Sequence, residues 1–344
     1  MRSISLLRDL GLLMLPGDPI GELVERARRA EAAGYDSLWI ADEKFYRDPW
    51  VVLTAIAGGT SRVRLGTGVT EPYARHPALI AAAMATLAEL VPERSLVIGL
   101  GAGGPGFPPM GVVRRRPTKA IEEAVTIIRG LLAGERVELE GEVVSFRGAG
   151  LNFASHPLPI YVAARGERML GTAGRVGDGV ILGPFASRPA LEYAIGIARP
   201  GNSSTGRRPK LVARIDICIA DSAEEAQERV RTMVALPVWV SYPNLGYVEA
   251  LGIRLPGELL ELIERREYSD IPAAGRLIPE EMLRHFAIAG TEDQVAERIG
   301  EILPLIDELV VHPVGSANCD VDDVADRVAA IWSSKSMSQQ GRAQ

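Results

Sequence analysis

The sequence predicts a (β/α)₈ barrel on three observations. Along the 344 residues the hydrophobic period keeps switching between short continuous apolar runs and longer segments with helical spacing. The runs are apolar throughout rather than alternating, which places strands in a parallel sheet covered by helices. About eight such units fit the chain, and eight close into one barrel. A doubly wound open sheet is the runner-up, but it would need fewer strands or an evident second domain.

The units follow one another in order. LGLLMLP at 10–16 is the first strand, and 21–34 the first helix, with Leu23, Ala27, Ala30 and Ala33 on one face and Gly34 as its C-terminal cap. DSLWIAD at 36–42 is a buried strand, and 49–60 a helix opened by Pro49 and closed by glycines. Strand three is RVRLGTGV at 62–69 with its helix at 77–90, and strand four is SLVIGLGAG at 95–103 with its helix at 117–134. An insertion at about 135–155 then reads as a surface hairpin, from its Val/Phe alternation around Gly141. Strands five to seven are 159–164, 179–185 and 211–220, with helices at 167–176, 188–198 and 223–235. A second insertion, 236–280, precedes the last units: a helix at 292–303, strand eight at 308–315 and a helix at 320–332. The expectation is one domain over 1–332 and a disordered polar tail at 333–344.

Composition narrows the function. A net charge of −6 argues against nucleic acid as a partner, and the basic run at 113–117 reads as a solvated face. Cys218 and Cys319 stand alone, which fits a reducing cytoplasm better than a disulfide framework. His76, His156, His285 and His312 form no metal-binding spacing, so no metal site is expected. Asp9 interrupts the apolar N-terminal segment, which therefore does not read as a signal peptide. No apolar run reaches the roughly twenty residues of a membrane span.

A barrel of this kind places chemistry at the C-terminal ends of its strands. Strand two ends in Asp42 and Glu43, strand three in a loop carrying Thr70, Glu71, Tyr73, Arg75 and His76, and strand four in GLGAGG at 99–104. That last motif has dinucleotide-binding spacing, but the prolines of PGFPPMG forbid the helix which the fingerprint requires. Gly101, Ala102 and Gly103 are better read as bare backbone that a flat ring can approach. Ala164, Arg165 and Gly166 lead into a helix N-terminus, a natural phosphate seat, although Gly166 as a mere turn reads equally well. Asp42 is either a cap or a ring contact, and Glu43 beside it is the leading proton-transfer candidate. Tyr73 and His76 come next in the catalytic set, His76 with the rival reading that it shapes the entry to helix three.

These stretches together resemble the bacterial-luciferase-like oxidoreductases, over residues 10–330, and within them the methylenetetrahydromethanopterin reductase branch. The carriers are GTGVTEPYARHPALIAAAMATL, GLGAGGP, PIYVAARGERMLGTAGRVGDGVIL and IPEEMLRHFAIAGTEDQVAERI. The resemblance implies a non-prolyl cis bond at Gly68–Val69, in a bulge behind the cofactor ring, with Thr70 and the loop to His76 facing the site. It implies that Asp42 contacts the ring, and that Ala164, Arg165, Gly166, Gly179 and Val180 belong to the phosphate region. The implied cofactor is the deazaflavin coenzyme F420, with FMN and monooxygenase chemistry as the alternative. A ligand-binding barrel without turnover is the third reading. The partner implied is a small organic substrate, and relatives are commonly homodimers or larger. The sequence departs from the family pattern at three places: Asp42–Glu43 stands where relatives often have Asp-His, Glu71 where the branch has Asn, and Gly104–Pro105 where sugar-phosphate dehydrogenases carry Glu. In the second insertion Trp239, Tyr242 and Tyr247 either line a substrate pocket or form the insertion's own core.

Overall fold

Eight parallel strands close on themselves in the structure, a computed structural model that describes residues 8–104, 106–199 and 208–340, with backbone alone from 336. The strands are numbered in chain order. They are β1 (Asp9–Met14), β2 (Ser37–Ile40), β3 (Arg64–Thr67) and β4 (Leu96–Leu100), then an antiparallel hairpin of β5 (Val137–Leu139) and β6 (Phe146–Ala149). There follow β7 (Ile160–Ala164), β8 (Gly179–Leu182), β9 (Lys210–Ile219), β10 (Ala287–Gly290) and β11 (Glu308–Pro313). Neighbours run β11-β1-β2-β3-β4-β7-β8, and β9 joins β8 to β11 to complete the ring.

Helices cover the outside: α1 (Ile20–Ala33), α2 (Pro49–Gly59), α3 (Pro77–Leu90), α4 (Pro117–Leu132), α5 (Glu167–Val176), α6 (Arg188–Ala198) and α7 (Ala223–Ser241). After the short α8 (Gly246–Glu249), α9 (Gly257–Glu264), α10 (Ile271–Arg276) and α11 (Glu280–Phe286) come α12 (Glu292–Ile302) and α13 (Val321–Gln340). The punctuation is local chemistry. Gly34 closes α1 at φ 99, a left-handed value that glycine adopts without steric cost. Asp48 opens α2 by accepting from the amides of Trp50 and Val51, with Pro49 in the first turn.

Two apolar layers result. One lies between sheet and helices and includes Ile40, Leu65, Ile98, Val162 and Leu182. The other fills the barrel: Leu13, Trp39, Val97, Tyr161, Ile181, Val212 and Val310. Each strand therefore buries both faces, which is why its sequence reads as a continuous apolar run.

The structure departs from the sequence expectations in three elements. β10 is an extra strand: β11 occupies one edge of β9, so β8 (along Lys210–Ala213) and β10 (along Asp216–Ile219) share the other. It begins directly at the end of α11, with no turn residue to mark its start. α7 runs through Pro237 to Ser241, so the second insertion starts inside a helix rather than after one. α13 continues past Ser333 to Gln340, where a disordered tail was expected. The Ser333 hydroxyl bonds the Ala329 carbonyl at 3.0 Å, and so does not compete with the helix. Residues 341–344 lie outside the described residues.

Candidate functional site

A cleft of about 1150 Å³ opens at the C-terminal ends of the strands. Leu13, Trp39, Val69, Ile181 and Val310 form its apolar floor, which is the top of the barrel's own filling. Asp42, Glu43 and Lys44 stand on one wall, Gly101–Gly104 on another, and Ala164–Gly166 with the first turn of α5 on a third.

The strand-three segment breaks regular pairing. β3 ends at Thr67, the Gly68–Val69 bond is cis as the resemblance implied, and pairing with β4 resumes at Thr70. The Thr70 amide donates to Gly99 O at 2.9 Å, and Gly101 N to Thr70 O at 2.8 Å. Glycine at 68 is a packing requirement, because a Cβ there would lie 2.7 Å from Leu13 Cδ1 and 3.0 Å from Trp39 Cβ. The segment therefore turns Val69 to the cleft and Thr70 away from it.

Behind that bulge is a closed charge network. Thr70 Oγ1 donates to Asp42 Oδ2 at 2.6 Å, and Lys44 Nζ to Asp42 Oδ1 at 2.9 Å. The same ammonium lies 3.0 Å from Glu71 Oε1, and Glu71 accepts from the amides of Tyr73 and Ala74 at 2.6 and 3.0 Å. Burial opposes the charge on Lys44, but Asp42 and Glu71 outweigh it and hold its pKa above the usual value. Thus Asp42 reaches the cleft as an oriented carboxylate, with Thr70 as its support.

Glu43 differs. Its carboxylate forms no ion pair or hydrogen bond among the described residues, since Lys44 is committed elsewhere and Arg47 donates to Gly17 O. Burial raises its pKa, Lys44 opposes this, and Asp42 adds to it. A half-buried carboxyl group with a raised pKa and no partner, on the wall of a cleft, is placed to exchange a proton.

Other sequence candidates lie elsewhere. Tyr73 does not line the cleft: its hydroxyl donates to Arg115 O at 2.9 Å and its ring packs edge-on against Phe107. Burial pushes its pKa up to about 12. His76 is the cap of α3, accepting from Ala78 N at Nδ1 and meeting Ser145 O at Nε2. Both ring nitrogens are thus committed to backbone, and the side chain stands off the cleft. Gly179 and Val180 sit at the start of β8, at the opposite end from the site. Val180 faces the helices, and β8 reaches the cleft through Ile181 and the following cis Gly183–Pro184. Arg165 is in the cleft, but its guanidinium is tied to Pro237 O at 2.7 Å and Ser241 Oγ at 3.2 Å, so it braces α7. Gly166 caps α5 with open space around the position of a Cβ.

Sequence reasoning gave Lys44 and Glu71 no role, and it missed a group on β9 and β11. Asp216 is fully buried, 2.9 Å from Arg214 Nη1 and 2.6 Å from His312 Nδ1. Burial raises its pKa, yet Arg214 and then His312 hold it below the ordinary carboxylate value. Alternation of Arg214 and Asp216 in an otherwise apolar strand was the available signal, because period two puts both on the inner face. Tyr247 lines the cleft and also packs on Phe185 and Phe286 at 6.2 and 5.6 Å, two residues outside the insertion, so it joins the insertion to the barrel. No group of three or more His, Cys, Asp or Glu side chains is placed to hold a metal among the described residues.

The fold and the cleft define a parallel barrel whose open end carries an apolar floor, charged walls and an uncovered helix N-terminus. Comparison with known proteins places it further. Residues 3–304 match the model of the luciferase-like monooxygenase family, and the chain belongs to that family. It is 34% identical to the 5,10-methylenetetrahydromethanopterin reductase of Methanolobus tindarius over 313 residues, covering 89% of this chain and 94% of the relative. It is also 34% identical to an F420-dependent glucose-6-phosphate dehydrogenase of Kineococcus radiotolerans, over 63% of this chain and 69% of the relative. Among solved structures, the coenzyme F420 dependent tetrahydromethanopterin reductase from Methanopyrus kandleri superposes with a TM-score of 0.77 at 28% identity, covering 94% of this chain and 97% of that one.

Proposed function

We propose that the chain is a coenzyme F420-dependent oxidoreductase acting on a small organic substrate. The observation that carries it is one cleft holding a flat apolar floor, an open helix N-terminus at Gly166 and a partnerless Glu43. The dehydrogenase relative and the solved reductase that are named for F420 support the choice of cofactor over FMN.

The residues present fit a deazaflavin. Leu13, Trp39, Val69, Ile181 and Val310 would form the bed of the ring, with Gly101–Gly103 at its rim and the supported carboxylate of Asp42 at its polar edge. Gly166 and the free amides of the first turn of α5 would seat the phosphate. When bound, the cofactor supplies the hydride or accepts it. The protein's own share is to orient the two reactants, exclude water under the cap formed by α7 and α8, and move a proton at the Glu43 carboxyl. The raised pKa of Glu43 keeps part of it protonated closer to neutrality than an ordinary carboxyl group.

The reading includes one catalytic domain made of the barrel and both insertions, a cytoplasmic location and a homodimeric or larger assembly. The two cysteines, both buried and free, are compatible with a reducing compartment. No described helix is long and apolar enough to cross a membrane. The test is titration of the purified chain with F420 and with FMN, read by cofactor fluorescence, alongside mass spectrometry of any co-purified small molecule. F420 binding with FMN excluded is expected. FMN bound and F420 ignored would overturn the assignment.

A further inference from the structure

Beside the cleft lies a second cavity of about 430 Å³, between the loop after β4 and the last turns of α7. Phe107, Val113 and Trp239 supply its apolar walls, with Arg114 and Arg266 on its rim, and it opens to the cleft at Gly104, Arg114 and Val240.

Two features there lack a matching partner among the described residues. The first is a set of cations without anions. Arg165 and Arg266 both lie within electrostatic reach of Arg114. None of the three has a carboxylate within ion-pair distance among the described residues. Instead each donates to a carbonyl of α7: Arg114 to Val240 O at 3.3 Å, Arg165 to Pro237 O at 2.7 Å, and Arg266 to Trp239 O. Carbonyls orient a guanidinium but do not neutralise it. Burial, and then Arg266 and Arg165 against the opposing Tyr73, lower the pKa of Arg114, as expected of a cation held among cations. The second feature is Trp239. It is 8% exposed, and its indole Nε1 is buried without a hydrogen-bond partner. The Arg266 guanidinium sits over its ring at 5.1 Å, and Tyr268 meets it edge-on at 6.0 Å.

We propose that this cavity receives the anionic end of the substrate: a carboxylate or phosphate carried on a flat apolar body. The body packs between Phe107 and Trp239, and the oxyanion is read by Arg114 and Arg266. Planar guanidiniums suit an oxyanion better than ammonium groups do, because they offer paired donors and stack on aromatic faces. The position also fits the chemistry. The cavity shares Gly104, Arg114 and Val240 with the cleft whose wall carries Glu43, so a substrate anchored here extends its other end toward the proton-exchanging carboxyl group. That last step rests on the oxidoreductase reading; the anion site itself does not. The charged tail of the cofactor offers the same oxyanion chemistry, and the experiment separates the two sources.

The full chain is titrated by calorimetry with 2-naphthoate and with its neutral counterpart 2-naphthamide, and separately with F420. The same titrations are repeated on Arg114→Gln/Arg266→Gln. The wild type is expected to favour the carboxylate by about tenfold or more, the size of a charge-assisted hydrogen bond. The double variant is expected to lose that preference while keeping its F420 affinity, which also reports that it is folded. Equal binding of the two naphthyl probes to the wild type overturns the proposal and needs no variant. A fall in F420 affinity as large as the fall for naphthoate also overturns it, assigning the arginines to the cofactor tail. Failure of the wild type to bind F420, with carboxylate preference intact, refutes the cofactor assignment and supports the anion site.

Discussion

The two ends of the barrel hold charge in opposite ways. At the N-terminal end the first residues of five strands meet. Asp9 binds Arg64 at 3.1 Å and Lys210 at 2.7 Å, and Arg64 binds Glu308 at 2.5 Å. Glu308 in turn accepts from Ser37 at 2.6 Å and from the indole of Trp39 at 3.0 Å. Only Arg64 Nε lacks a partner in that set. At the C-terminal end Asp42, Lys44 and Glu71 are similarly closed, but Glu43 and the arginines around α7 are not. Apart from Arg64 Nε, the charged groups of the lower set are occupied by the fold, so that end contributes stability. Among the described residues the upper end leaves one carboxyl group without a side-chain partner and several cations without an anion, and these are the groups available to a ligand. Where a barrel keeps its partnerless charges is therefore a guide to its working face.

The largest expected effect breaks the lower end. Arg64→Ala leaves Glu308 buried without its cation, and should cost about 3–5 kcal/mol of stability in denaturant titration. Turnover per folded molecule should hardly change, and a selective loss of turnover would contradict the division. Acid acts on the same network. Burial raises the pKa of Asp9, but Lys210 and Arg64 outweigh it and depress the folded value. Its contribution is therefore complete above the ordinary carboxylate range and is lost as pH falls through the depressed value. A pH series of thermal midpoints should show a steeper acid decline in wild type than in Asp9→Asn.

Next in size is the partnerless acid. Glu43→Gln should lower turnover at least about tenfold, the low side of the range for losing a positioned acid–base. The sign for stability is the reverse of Asp9. A carboxyl group whose folded pKa is raised stabilises the fold only when protonated and weakens it as pH rises, so the variant should melt no lower than wild type at neutral pH. Full activity in this variant would remove Glu43 from the mechanism.

A smaller effect tests the phosphate seat. Gly166 has extended backbone and nothing near the position of a Cβ, so Gly166→Ala is compatible with the fold. It narrows the approach to the α5 amides, and should weaken F420 by up to about tenfold, or 1.4 kcal/mol, with an unchanged melting curve. Unaltered affinity would move the tail elsewhere.

The smallest is His76→Ala. As a helix cap its loss should cost about 1 kcal/mol of stability, with cofactor binding intact. A large catalytic loss at constant stability would restore His76 to the site and blur the contrast between the two ends.

The sequence by itself determined what depends on local pattern. Apolar runs, helical spacing, Asp48–Pro49 and Gly34 specify strands, helices and their ends through interactions within a few residues, so the alternating order of the barrel was legible. The Gly68–Val69 segment was also legible, through its resemblance to a family that repeats it. Partner choice among the polar residues after each strand was not. Lys44 rather than Glu43 enters the ion network because Glu71, 27 positions on, is brought to it by the β2–β3 pairing. Tyr73 and His76 are withdrawn from the cleft by the carbonyls of Arg115 and Ser145. Arg214, Asp216 and His312 meet because β9 and β11 are neighbours in the ring. A hydrogen bond or a buried charge is decided by what arrives from distant parts of the chain, and only the closed barrel determines that.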